Sequence, residues 1–434
     1  MKRIRGNAEV KFTSGEQAEF PFRIDPKQNS RPVIFLYNPH NRKIRRSLEL
    51  KFFSVHDTIY AKLEGKTNNN SHIAIDKLVL NHTGNITRNR RSPMKLTALS
   101  PIVMKTEDAL FDRIEWTITN FLYTGSESTR YPSGAVHLDT ISLSLENVEV
   151  RIVQLPEYEV QKRALEKKES TVEPTAKIVF IGDNLNPSNI REIADNICYL
   201  LSLSQRTLIS PIIEERYHND SKIYEHWTGA RTEPFNKQNM LIYNFPGKHL
   251  KKYLFITYPH FKEYKKKLNL PAIFDYYLLT QSAPLLDVRC VLGYITLECL
   301  CDQTNKYFAS QGDPLIPTNT KRVKKDIYKI CGNKLTDEEI NQLVTKLSSP
   351  NPSIPDSVSK IKKKFDIGTE PSDAKLYGWR KQFIHKGMFS DNMDKLQVYH
   401  SIVHFLDRIL LSILGYKGNI YLDIENRYKE RVLQ

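Results

Sequence analysis

The sequence predicts an α+β protein: an antiparallel β-rich domain over residues 1–155, a linker helix and strand over 156–185, and an all-α domain over 186–434. Three observations carry this reading. The first third is cut into short runs of β-branched and aromatic residues separated by turn clusters. The rest has apolar residues recurring at helical spacing over long stretches. At 434 residues the chain is also too long for one ordinary core, so the change of period marks a domain boundary.

The β half reads as strands at residues 8–12, 33–37, 48–52, 59–63, 72–80, 114–123 and 137–153. Within the last, Ile141-Ser142-Leu143-Ser144-Leu145 alternates with period two, as a half-buried strand does. Turn clusters at 38–41 and 66–70 separate the runs, and strands at this spacing argue for an antiparallel sandwich or barrel-like domain. Basic stretches at 42–46 and 88–91 read either as solvated loops or as phosphate contacts. A charged segment at 158–170 suits a surface helix, and 177–181 a short strand.

Helical periodicity then takes over. Ile190, Ile193, Ile197, Leu200 and Leu201 fall on one helix face, and residues 273–280 and 285–307 repeat the pattern. Thr336-Asp337-Glu338-Glu339 has the form of a capping box opening a helix through Leu347. Leu396, Tyr399, Val403, Leu406, Leu410 and Ile413 form another stripe, ended near Gly415 and Gly418. Lysine runs at 265–267, 321–325 and 362–364 are expected between helices.

Composition narrows the partners. A hydrophobic share of 40% and a charged share of 26% are those of a folded globular chain. The net charge of +15 calls for a polyanion, with nucleic acid ahead of an anionic membrane surface. No apolar run approaches the roughly 20 residues of a spanning helix, and the charged start lacks the apolar core of a signal peptide, so no membrane partner is expected. The five cysteines show no CxxC spacing and read as free thiols of a cytoplasmic protein. Phosphate-loop, GxSxG and HExxH signatures are absent, and no cofactor or metal is expected. His400 and His404 stand four apart, a metal-ligand spacing, but no Glu-x-x-His partner accompanies them.

The candidate site is the hexapeptide Arg380-Lys381-Gln382-Phe383-Ile384-His385. An imidazole can exchange a proton near neutral pH, and a guanidinium can grip phosphate through two parallel hydrogen bonds. Ser372 is expected to cap a helix bearing Leu376, Trp379 and Phe383 on one face, with Gly387 as its stop. On such a helix His385 lies about 140° round from Arg380. One helix therefore makes a poor active site, whereas two copies around one cleft would supply two of each residue. An ordinary helix end, with a basic residue and a histidine favoured by the dipole, accounts for the same pattern. Tyr377 and Trp379 could stack on a base or simply be core.

The segment from Leu376 to Gly387, with its R-x4-H-x-G pattern, resembles the signature of HEPN domains, a family of small helical RNases. Leu406-Asp407-Arg408 through Gly415-Tyr416-Lys417-Gly418 resembles the helix and Gly-Tyr-x-Gly tail of ApeA-like HEPN proteins. Ile197-Cys198-Tyr199-Leu200-Leu201-Ser202-Leu203 and Tyr294-Ile295-Thr296-Leu297-Glu298-Cys299-Leu300 are similar to two further segments of that family, in the same order. The resemblance spans roughly residues 180–425. It implies a HEPN-like helical domain acting as a homodimer on RNA, often in phage defence or toxin systems, with Arg380 and His385 as the catalytic pair. The family commonly has Asn, Asp or His after the arginine. Lys381 stands there here, able to bind phosphate but not to accept a hydrogen bond that would orient the histidine.

The expected activity is metal-independent cleavage of RNA by 2′-hydroxyl attack, leaving a 2′,3′-cyclic phosphate. Lys381, Lys386, Lys362, Lys363 and Lys364 are the candidate RNA contacts. The β-rich domain would sense a phage or host trigger. The alternatives are a non-catalytic RNA-binding protein that keeps the helical domain for dimerisation, and the nucleotidyl or nucleotide-binding toxin of a toxin–antitoxin pair.

Overall fold

A computed structural model of the protein describes residues 3–13, 15, 17–25, 32–37, 60–80, 94–98, 102–105, 110–130, 136–227, 234–235, 240–314, 318–331, 335–347, 352–386, 394–424 and 427–432. The chain divides into two compact units. The first comprises Met1–Cys198, Leu208–Lys237 and Phe245–Lys248; the second comprises Tyr199–Thr207, Gln238–Asn244 and His249–Gln434. The α+β class with antiparallel strands first and helices after is as expected from the sequence.

The first unit begins with β1 (Ile4–Phe12), β2 (Gln17–Asp25), β3 (Val33–Leu36), β4 (Tyr60–Thr67), β5 (His72–Leu80) and β6 (Met94–Ala98). They follow the order β4-β1-β2-β3-β6-β5, and β5 also pairs with β4, so the sheet closes into a barrel. Period-two alternation supplies its core: Val10, Phe20, Ile24, Ile34, Leu63, Ile73, Ile75 and Leu96 are all fully buried. Closure brings β1 and β4 very close. A Cβ on Gly65 would lie 2.3 Å from the Asn7 carbonyl oxygen, so only glycine fits there.

Further strands are β7 (Ile102–Lys105), β8 (Arg113–Thr119), β9 (Glu127–Arg130), β10 (Val136–Leu145), β11 (Val148–Gln154), β12 (Pro174–Ile181), β13 (Pro211–His218) and β14 (Ser221–Trp227). They extend the sheet from β5 in the order β7-β14-β13-β8-β12-β11-β10-β9. The β13–β14 hairpin lies within the stretch expected to be helical, yet it fills the middle of the sheet between β7 and β8. Its sequence hid it because one face carries charge where a core strand would carry apolar residues. Those charges pair sideways. Lys177 on β12 reaches Glu115 on β8 at 2.6 Å and Glu215 on β13 at 2.8 Å, and Lys222 on β14 meets Glu215 at 3.0 Å. Burial pushes the Glu215 carboxyl up, but Lys177 and Lys222 outweigh it and hold the group below the ordinary glutamate range.

The expected strand at 48–52 and the basic stretches at 42–46 and 88–91 lie outside the described residues. Helix α1 (Tyr158–Glu166) matches the charged segment and is pinned by Tyr158, whose hydroxyl donates to the Tyr123 carbonyl at 2.7 Å. The boundary between the units falls within α2 (Pro187–Gln205).

The second unit holds α3 (Gly247–Lys267), α4 (Leu270–Ser282), α5 (Leu286–Ser310), α6 (Thr318–Cys331), α7 (Asp337–Leu347), α8 (Ile354–Lys364), α9 (Pro371–Lys386) and α10 (Lys395–Ile413). A hairpin of β15 (Asn419–Ile424) and β16 (Arg427–Val432) follows. The capping box is present: the Thr336 hydroxyl accepts from Glu339 N at 3.3 Å, and Thr336 N donates to the Glu339 carboxylate at 2.8 Å. Helix α10 buries Tyr399, Val403, Leu406, Leu410 and Ile413 as expected, while Leu396 in its first turn is exposed. Gly415 closes it at φ +69°. At Gly293 on α5 a Cβ would come within 3.0 Å of Ile402 on α10, so the missing side chain lets these two helices approach.

The lysine runs do not lie between helices. Lys265–Lys267 and Lys362–Lys364 form the last turns of α3 and α8, where cations complement the helix dipole, and 321–325 lies inside α6. No helix among the described residues is long and apolar enough to cross a membrane.

Candidate functional site

Helix α9 starts one residue before the expected cap. Pro371 takes the first helical position, where its missing N–H costs nothing, and Asp373 rather than Ser372 caps the start by accepting from Glu370 N at 2.9 Å. Asp373 is 3% exposed and gathers two cations: Lys362 Nζ at 2.5 Å and the guanidinium of Arg408 on α10. Arg408 also donates to the Gly368 carbonyl at 2.8 Å and lies 3.4 Å from the Glu370 carboxylate. The N-terminal end of α9 is thus tied by charge to α8 and α10.

Lys362 therefore differs from the expected solvent-facing run. Its side chain is 12% exposed and its ammonium is spent on Asp373, whereas Lys363 and Lys364 face solvent. His404 is likewise engaged, with Nε2 3.2 Å from the Glu370 carboxylate. Burial holds its pKa below the ordinary histidine value despite that carboxylate. Among the described residues no three His, Cys, Asp or Glu side chains are grouped to hold a metal ion.

The middle of α9 packs on α5. Leu376 is buried, and its carbonyl accepts from the Tyr294 hydroxyl at 3.1 Å. Tyr377 and Trp379 are half-buried, and burial pushes the Tyr377 phenol up to about 12. One turn on, Arg380 reaches back to α5. Its Nε and Nη2 both donate to Oε1 of Glu298, at 2.8 and 2.5 Å. The Arg380 side chain is 27% exposed and that of Glu298 39%, so this pair sits at the surface rather than in the core. Glu298 grips one edge of the guanidinium, and Nη1 has no acceptor among the described residues. An arginine so held can present its remaining N–H groups to a phosphate without swinging away. Burial pushes the thiol of Cys301, one turn beyond Glu298, up to about 12, which disfavours the thiolate.

Lys381 is exposed beside Arg380. His385 belongs to the last turn of α9, but the side chains of 382–386, including those of His385 and Lys386, lie outside the described part of the structure. Val288, Val291 and Ile295, spaced along the α5 face that leads to Glu298, are 41, 39 and 37% exposed. The sequence reading missed Glu298 and the Asp373–Arg408 pair. Their one available signal was a charge inside an apolar helical run, at Glu298 between Leu297 and Leu300 and at Asp407-Arg408 between Leu406 and Ile409.

The family profile of the YopA central domain matches residues 106–238. This segment carries β8 to β14 with α1 and α2, and it ends before α3 and well before Arg380. No curated protein and no solved structure matches the chain.

Proposed function

We propose that the protein is a metal-independent endoribonuclease whose site is built on α9. In this reading Arg380 binds the scissile phosphate and stabilises its transition-state charge. The His385 imidazole accepts the proton of the attacking 2′-hydroxyl, and the protonated His385 of a second copy gives a proton to the leaving 5′-oxygen. The observation that carries the reading is Arg380 itself, held at the surface by Glu298 with one N–H edge left over and Lys381 exposed beside it. The net charge of +15 and the exposed Lys363 and Lys364 suit an RNA path.

A second active-site copy would come from a homodimer through the helical unit, and the exposed Val288–Val291–Ile295 stripe running toward Glu298 favours such self-association. The resemblance to ApeA-like HEPN proteins supports a cytoplasmic role in anti-phage defence or abortive infection, with the β-rich unit recognising the trigger. The same Glu298 contact favours a second reading, a non-catalytic RNA-binding protein, because a carboxylate already occupies the arginine.

Incubation of the purified protein with end-labelled RNA in EDTA tests this. Products ending in 2′,3′-cyclic phosphate, absent with His385→Ala and with Arg380→Ala, are expected. Undiminished cleavage by His385→Ala would sink the assignment, and RNA binding without cleavage would favour the second reading. Light scattering of the active species is expected to show a dimer.

A further inference from the structure

The first unit contains a cleft of about 500 Å3, remote in sequence from α9. It opens where the closed barrel and the extended sheet part. From Gly6 onward β1 pairs with β4, while β7 turns away to pair with β14, and the start of β1 faces the gap between them. The floor is apolar, made by Met104, Ile213 and Trp227 at the edge of the barrel core. On one wall stand Glu215 and Glu225, which share the Lys222 ammonium, and Glu215 also meets Lys177 of β12, so both carboxylates are engaged by cations. The other wall carries Arg5 near the start of β1 and Arg3 just before that strand, both of which line the cleft. Arg3 is 65% exposed and shares Asp25 with Arg23, and Arg5 has no carboxylate partner among the described residues. The rim is the β4–β5 turn, where Asn68, Asn69 and Ser71 offer donors and acceptors.

We propose that this cleft binds a small anion bearing a planar ring, of the size of a nucleoside monophosphate. A volume of about 500 Å3 lies within the range of small-molecule sites. Two neighbouring guanidinium groups take the phosphate, the apolar floor takes the ring face, and the Asn and Ser groups of the rim meet ring edges or hydroxyls. The inference is independent of whether the helical unit cleaves RNA.

Calorimetric titration of the full chain with AMP, GMP, CMP and UMP tests it. Saturable one-to-one binding of at least one is expected, weakened about tenfold or more when the phosphate is removed, since a charge-assisted hydrogen bond is worth about 1.5–3 kcal/mol. The double variant Arg3→Gln/Arg5→Gln should weaken binding to the same degree. Asn69→Trp, which fills the mouth from an exposed turn position, should abolish it. Arg380→Ala should bind as wild type, which separates this site from a phosphate-binding arginine on α9. Absence of saturable binding with all four nucleotides overturns the proposal, as does binding that survives both the double variant and Asn69→Trp.

Discussion

Glu298 on α5 and Arg380 on α9 meet through a single oxygen: Oε1 of the glutamate accepts from both Nε and Nη2 of the arginine. The guanidinium is thereby fixed along one edge and left open along the other. In the ribonuclease reading Glu298 is a positioning residue for Arg380. Glu298→Gln keeps an oxygen acceptor in the same place and should retain most of the activity. Glu298→Ala frees the arginine to swing and should lower kcat by about tenfold or more, because small misplacements of a binding group are costly. Single-turnover cleavage of labelled RNA by the two variants is the check. Equal loss in both would show that charge, not position, is what Glu298 supplies.

The lysines at the end of α8 should separate into two behaviours. Lys363→Gln/Lys364→Gln should weaken RNA binding and flatten the dependence of log affinity on log salt, by about one unit for each phosphate that a lysine had neutralised. Lys362→Gln should instead lower stability, because Asp373 is deprived of a buried partner. Filter binding at several salt concentrations, together with urea melts, distinguishes them. A Lys362→Gln protein that melts like wild type would remove the structural role given to this lysine.

A second buried charge centre makes a larger prediction. Arg206, at the end of α2, is 4% exposed and donates to Asp407 of α10 and, at 3.0 Å, to the Tyr277 hydroxyl of α4. Tyr277 completes the ring by donating to Asp407 at 2.5 Å. Asp407→Asn leaves the Arg206 cation buried without its counter-charge, and stability should fall by about 3–5 kcal/mol. Chemical denaturation followed by circular dichroism measures this. A fall of less than about 1 kcal/mol would mean that water replaces the carboxylate.

The charge ladder of the sheet predicts an acid limb. The Glu215 carboxyl is held below its ordinary value by Lys177 and Lys222, and Glu214 by His226 and Arg216, each against the opposing push of burial. A lowered folded-state pKa means that this stability is full above the unfolded value, about pH 4.3, and is lost as pH falls through the folded value. Urea midpoints should therefore drop steeply below about pH 4. Glu215→Gln should make that drop shallower while lowering stability at pH 7. A variant whose acid limb parallels the wild type would show that Glu215 does not carry it.

Much of the chain's local structure was legible because its signals are local. The Thr336–Glu339 capping box, the α10 stripe and the β10 alternation over Ile141–Leu145 all lie within one or two turns or one strand of their own cause. Period and capping chemistry are enough to make such elements. The hexapeptide was likewise visible, and α9 extends over it as a helix.

What the local pattern could not decide is which distant residue each element meets. The β-forming residues of β5 say that it is a strand, but not that β5 returns to β4 and closes a barrel. The β13–β14 hairpin looked unlike a core strand because its Glu215 is satisfied by Lys222 on β14 and by Lys177 on β12, a lateral match invisible along the chain. Lys362 looked like one of three solvated lysines, and only the docking of α9 brings Asp373 onto it. Arg380 and Glu298 stand 82 residues apart. The class, most of the helices and the presence of an arginine on α9 follow from the order of residues alone. Tertiary packing chose which acid holds that arginine, because ion pairs and strand pairings are set by distance in space, and sequence spacing constrains that distance only within an element.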